Sequence, residues 1–198
     1  MIIKWDITIP QLSGDQVRKA YVYLPESYEE DPERRYPVMY FFDGHNVFFD
    51  EDATYGTSWG MYDYMEESGK QLILVGIECN REGDGRLREY APVTFEDSEL
   101  GRIEGEGKRY MHWLIKELKP YIDETYRTLP DRENTMIAGS SMGGLMALYA
   151  ATTFNSVFQR AACLSPSLWV APGKILELIA RAHIRRDTCI YLDYGAKE

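Results

Sequence analysis

The chain has 198 residues, 44% of them hydrophobic and 27% charged, with a formal net charge of -10. That length supports one hydrophobic core, and the composition is that of a folded domain rather than a disordered one. The acidic balance repels phosphate backbones and anionic lipid surfaces, so neither nucleic acid nor membrane is expected as a partner. No apolar run approaches the length of a membrane span. The opening Met1-Ile-Ile-Lys-Trp-Asp lacks the basic start, apolar stretch and small-residue cleavage site of a secretory leader, so a cytoplasmic protein is expected. Cys79, Cys163 and Cys189 lie in apolar, strand-like runs with no CxxC pair and no histidine at ligand spacing. They are expected to be buried free thiols, with no metal and no cofactor.

The first third reads as strands. Residues 2–9 and 17–24 are closed by Pro10 and Pro25 and separated by Ser13-Gly14-Asp15, which predicts an antiparallel hairpin. Tyr36-Pro-Val-Met-Tyr-Phe-Phe and Gln71-Leu-Ile-Leu-Val-Gly-Ile are bulky without alternation, the pattern of strands buried on both faces. Between them, residues 59–67 predict a helix with Ser58 as N-cap. Residues 79–101 read as a long polar loop, and such loops in small domains tend to carry function. From Gly105 to Tyr126 the apolar residues Met111, Leu114, Ile115, Leu118, Tyr121 and Ile122 recur at helical spacing, with Pro120 placed to kink or break the helix. Strands over 134–139, 160–165 and 188–194 then alternate with helices over 142–154 and 173–183. Two antiparallel strands followed by this alternation predict a single α/β domain over residues 1–198. Its central sheet is mostly parallel with an antiparallel N-terminal edge, and helices cover both faces.

The sharpest local feature is Gly139-Ser140-Ser141-Met142-Gly143, a match to G-x-S-x-G. The pattern places its serine on a strained turn between a strand and a helix, and its glycines leave room for the neighbouring backbone. Alone it is a weak signal; a predicted strand before it and a predicted helix after it make it strong. The start of that helix would aim its dipole and the Met142 amide at a developing oxyanion.

With these residues in hand, the chain resembles the esterase D and enterochelin-esterase group of α/β-hydrolases, which includes feruloyl and acetyl-xylan esterases. Four stretches carry the likeness: Phe42-Asp43-Gly44-His45-Asn46, Arg88-Glu89-Tyr90-Ala91-Pro92, the run from Tyr121 to Arg127 leading to Ala138-Gly-Ser-Ser-Met-Gly-Gly-Leu, and Leu164-Ser-Pro-Ser-Leu-Trp. The resemblance implies a serine carboxylesterase with Ser141 as nucleophile, one oxyanion amide from Met142 and a second from Gly44 or His45. It also implies an acid at the turn Gly195-Ala-Lys-Glu198, which favours Glu198. Asp193, read as lying within the last strand, ranks below it. Asp43, His45, Trp59, Tyr90 and Trp169 fall on predicted loops near the mouth of the site and are expected to shape a substrate pocket, although each aromatic could equally be packing. The substrate expected is a small ester: sugar-linked acids, siderophore esters and small thioesters are all open, and the aromatic loop residues are compatible with a sugar-linked or aryl ester.

In this fold the triad follows the order serine, acid, histidine, and no histidine follows Ser141 at a suitable place. His45 precedes the serine, His112 reads as a helix-surface residue, and His183 reads as a C-terminal helix cap. The catalytic histidine is therefore expected beyond residue 198, and the chain is expected to lack its last strand and helix. The strand over 189–194 would be left as an apolar edge that invites another chain, so a homo-oligomer is one way to cover it. Hydrolysis by the 198 residues alone is expected to be severely impaired. A non-catalytic binding domain of the same fold and an acyltransferase of the same group are the alternative readings.

Overall fold

The computed structural model describes residues 1–195. Its hairpin pairs β1 (Ile2–Thr8) antiparallel with β2 (Val17–Tyr23), the two joined through a short turn of helix, α1 (Pro10–Ser13). A second short turn, α2 (Ser27–Glu30), leads to β3 (Val38–Phe42), α3 (Met61–Ser68) and β4 (Ile73–Ile77). Helix α3 starts two residues later than its sequence suggests. Gly60 takes the N-cap position in a left-handed conformation, and the Ser58 hydroxyl accepts the Gly60 N–H at 3.2 Å.

Residues 79–101 are not the featureless loop that their polarity suggests. They hold α4 (Gly85–Glu89) and the first strand of a small hairpin, β5 (Phe95–Asp97) with β6 (Gly101–Ile103). Ion pairs to distant parts of the chain, rather than apolar periodicity, hold α4 in place.

The long helical stretch is α5 (Gly107–Trp113), a π-helical segment over Leu114–Leu118, and α6 (Lys119–Thr125). Pro120 sits in the first turn of α6. The wider π turn before it accommodates the missing N–H and the ring, so the helix continues past the place where a kink or break was expected. There follow β7 (Thr135–Ser140), α7 (Met142–Thr153), β8 (Arg160–Leu164), α8 (Pro172–Arg181) and β9 (Cys189–Leu192).

The seven strands of the main sheet lie in the order β1-β2-β4-β3-β7-β8-β9. The first two are antiparallel to their neighbours and the other five run parallel. Alternate side chains of each strand feed two cores. Val38, Tyr40 and Phe42 pack with residues of α5 to α8, whereas Phe41, Leu74 and Ala138 pack with Met65 of α3. Helices therefore cover both faces, as expected. Ile190 of β9 packs on the first core, so Cys189 and Tyr191 face the other side. There α3 does not reach them, and Cys189 is exposed, unlike buried Cys79 and Cys163. The expectation of three buried thiols thus fails at Cys189 because its strand is the edge of the sheet.

Candidate active site

The chain leaves β3 to form β4 on one side of it and returns to form β7 on the other. At such a switch point the loops after adjacent strands diverge and open a crevice above the strand ends. Two turns meet in that crevice.

The first turn is a single residue. Strand β7 ends at Ser140 and α7 begins at Met142, and Ser141 between them adopts φ 57°, ψ -118°. A non-glycine residue held in such a region stores about 1–3 kcal/mol. Small neighbours make the turn possible. A Cβ on Gly139 would lie 2.9 Å from Gly143 Cα, and one on Gly144 would lie 2.7 Å from the Leu164 oxygen. The turn is also tied to β8. The Ser141 N–H donates to the Leu164 carbonyl at 2.9 Å, and the Ser167 N–H donates to the Ser141 carbonyl at 3.0 Å. The Ser141 hydroxyl is exposed and shares a hydrogen bond of 3.1 Å with the Ser167 hydroxyl. Ser167 was not singled out in the sequence; its only signal is its place in the Leu164-Ser-Pro-Ser run. The Met142 amide lies in the first turn of a 12-residue helix, where amides lack intrahelical partners.

The second turn follows β3. Asp43 is left-handed, at φ 55°, ψ 47°, and Gly44–Asn46 form one turn of 3-10 helix. Gly44 rests on β4: a Cβ there would lie 2.8 Å from Gly76 Cα and overlap the Ile77 backbone. The Asp43 N–H donates to the Tyr90 hydroxyl at 3.1 Å. Its carboxylate accepts two parallel hydrogen bonds from Arg86, Nε and Nη2 each at 2.8 Å. The two turns touch, since a Cβ on Gly143 would come within 3.2 Å of Asp43 Oδ2. His45 is 2% exposed; its Nε2 lies 3.0 Å from Thr54 Oγ1, while its Nδ1 is buried without a hydrogen-bond partner among the described residues. Burial pulls the imidazole below its usual pKa against the opposing charge of Asp43, so the ring is neutral at pH 7.

One cleft is lined by Asp43, His45, Trp59, Arg86 and Ser141, which unites three of the pocket residues expected from the sequence with the serine. Tyr90 corrects that expectation. It is fully buried behind Asp43, packed edge-on against Phe42 and Tyr110, and lines no cleft with Ser141. Trp169 opens instead onto a separate cleft with Phe95 and Lys174. Glu198 lies outside the described residues. Asp193 is not within a strand, because β9 stops at Leu192. Its Oδ1 accepts the Ser165 N–H at 2.8 Å and its Oδ2 the Tyr191 hydroxyl at 3.0 Å, so it ties the ends of β8 and β9 together. His112 is exposed against the ring edge of Phe154, and His183 is exposed beyond α8. Neither lines the cleft that holds Ser141.

The fold brings Asp43, His45 and Cys79 together, with potential donor atoms within 4.8 Å of one another, a grouping that the sequence spacing did not suggest. The chemistry of the set does not suit a metal ion. Arg86 already engages both Asp43 oxygens, which leaves the carboxylate neutralised and its oxygens occupied by a cationic partner.

A sheet of this order, with helices on both faces and a serine reversing the chain between strand and helix, defines the α/β-hydrolase fold. The chain belongs to the Esterase family, whose profile matches residues 13–198. It is 25% identical over 184 residues to the uncharacterized protein YbbA of Bacillus subtilis, covering 91% of this chain and 69% of that one. It is 29% identical over 149 residues to an endo-1,4-beta-xylanase/feruloyl esterase of Xylanibacter ruminicola, covering 70% of this chain and 18% of the other. Among solved structures, an IroE-like serine hydrolase from Shewanella oneidensis superposes with a TM-score of 0.72 at 24% identity. That match covers 91% of this chain, which thus spans 55% of the Shewanella protein. The siderophore hydrolase EstA of Aspergillus nidulans superposes with a TM-score of 0.69 at 20% identity, over 100% of this chain and 70% of that one. At these identities the solved structures establish the fold.

Proposed function

We propose that the protein is a serine carboxylesterase that works through an acyl-enzyme on Ser141. The observation that carries this reading is the Ser141 turn. A strained non-glycine residue, stitched to β8 and set at the start of a helix, presents its hydroxyl to a cleft beside a second glycine turn. Strain of this kind persists where function uses it. The Ser141 oxygen attacks the ester carbonyl carbon as its proton passes to a histidine. The tetrahedral oxyanion accepts hydrogen bonds from the Met142 amide and from the amide of Gly44 or His45, and the alcohol leaves with the proton. Water then releases the acid by the same steps in reverse.

Glu198 orients that histidine, in accord with the serine–acid–histidine order of the fold. The substrate is a small ester; the family supports an ester, and a feruloyl-esterase relative supports an aryl or sugar-linked one. Mass spectrometry of the intact protein from its native source, with and without a fluorophosphonate, tests the reading. One adduct, lost in Ser141→Ala, is the expected outcome. An unlabelled protein would overturn it and leave a non-catalytic member of the fold.

A further inference from the structure

Resting on that reading, we infer that Arg86 is a positioning residue for the oxyanion site: it holds the Asp43–Gly44–His45 turn and neutralises the Asp43 carboxylate beside the reacting centre.

Three observations lead there. First, Asp43 is a non-glycine residue in a left-handed conformation at the head of the turn that offers the second oxyanion amide. Such a conformation persists only when its surroundings enforce it. The Tyr90 hydroxyl accepts its N–H, and the planar Arg86 fork binds both carboxylate oxygens, fixing the side chain in direction as well as distance.

Second, the carboxylate is 4% exposed and abuts Gly143 in the first turn of α7, close to where negative charge develops on a reacting carbonyl. An uncompensated carboxylate there would oppose the oxyanion, and a site screened from water strengthens that opposition. The guanidinium supplies the compensating charge.

Third, Arg86 is itself anchored. Helix α4 has five residues, and an ion pair holds each end: half-buried Arg86 to buried Asp43, and buried Glu89 to buried Arg18 of β2. The guanidinium also lies over the Tyr90 ring, 5.5 Å from its centre. The polar 79–101 segment thus acts as a buckle between the hairpin and the oxyanion turn.

The test uses the intact natural protein as wild type, Arg86→Gln, Arg86→Lys and the double variant Asp43→Asn/Arg86→Gln. kcat and KM are measured with 4-nitrophenyl acetate, and hydrogen exchange is followed in the peptide covering residues 42–48. Arg86→Gln is expected to lower kcat by about 100-fold, the scale of losing one oxyanion donor, with KM changed by less than about threefold. The same substitution is expected to speed exchange at the turn. Arg86→Lys, which keeps the charge but not the fork, is expected to fall between. The double variant removes the stranded charge, and asparagine tolerates the left-handed conformation; it is expected to recover at least tenfold of the lost kcat. A kcat in Arg86→Gln within threefold of wild type overturns the inference, as does unchanged exchange, or a double variant no better than the single. A wild type that takes no fluorophosphonate refutes the esterase reading instead. The exchange experiment then still decides whether Arg86 holds the turn.

Discussion

At the scale of single residues, the serine turn is legible in sequence because the short strand–serine–helix pattern is local, although β3 and β8 complete it. Gly139 and Gly144 are small for reasons of contact within a few residues or with the next strand, whereas Gly143 is held small by Phe42 and Asp43 of the distant β3 turn. The partners of those residues are not legible. Nothing in the chain order links Asp43 to Arg86 or Ser141 to Ser167, because only the closed sheet makes them neighbours. Tyr90 shows the converse error: an aromatic residue in a polar run looks like a pocket residue until the fold buries it.

His45 makes a prediction at this scale. Its folded pKa lies below the ordinary value of about 6.5. Between the two values the unfolded chain binds more protons than the folded one, so this group's contribution to stability is lost as pH falls below about 6.5. His45→Gln is expected to flatten the dependence of Tm on pH between about 7 and 5. An unchanged dependence would place the acid sensitivity elsewhere.

At the scale of elements, the strands and the longer helices follow from composition and period, whereas α4 and the β5–β6 hairpin do not. The run from Glu82 to Glu89 has too few apolar residues to show a period, and long-range ion pairs hold it in place. The Arg18–Glu89 pair is the clearest case. Both side chains are 2% exposed, and Arg18 Nη1 donates to both Glu89 oxygens at 2.8 Å. Burial still pushes the Glu89 carboxyl up to about 7, against the pull of Arg18. Arg18→Met is expected to destabilise the protein by about 3–5 kcal/mol in urea denaturation at pH 8, because the carboxylate is left unpaired. The loss should be smaller at pH 5, where Glu89 is protonated, and Arg18→Met/Glu89→Leu should recover most of it. A single variant as stable as wild type would show that water reaches the carboxylate.

At the scale of the whole molecule, the antiparallel start and parallel remainder of the sheet were readable from the order of patterns. Tyr191 and Leu192 are 56% and 43% exposed. A strand edge bearing such residues pairs with whatever strand it meets. The 198-residue chain is therefore expected to self-associate in sedimentation velocity, and Leu192→Lys is expected to shift it towards monomer. Sedimentation unaffected by the substitution would place any association on another surface.

The stitching of the serine turn has a kinetic corollary. Its geometry depends on β3, β7 and β8 at once, so it cannot exist in any fragment of the fold that forms early from local contacts. Pairing of strands far apart in the chain comes late, after the entropy of closing long loops has been lost. The fluorophosphonate labelling proposed for Ser141 is thus expected to appear only at the last stage of folding, after the helices are present in full.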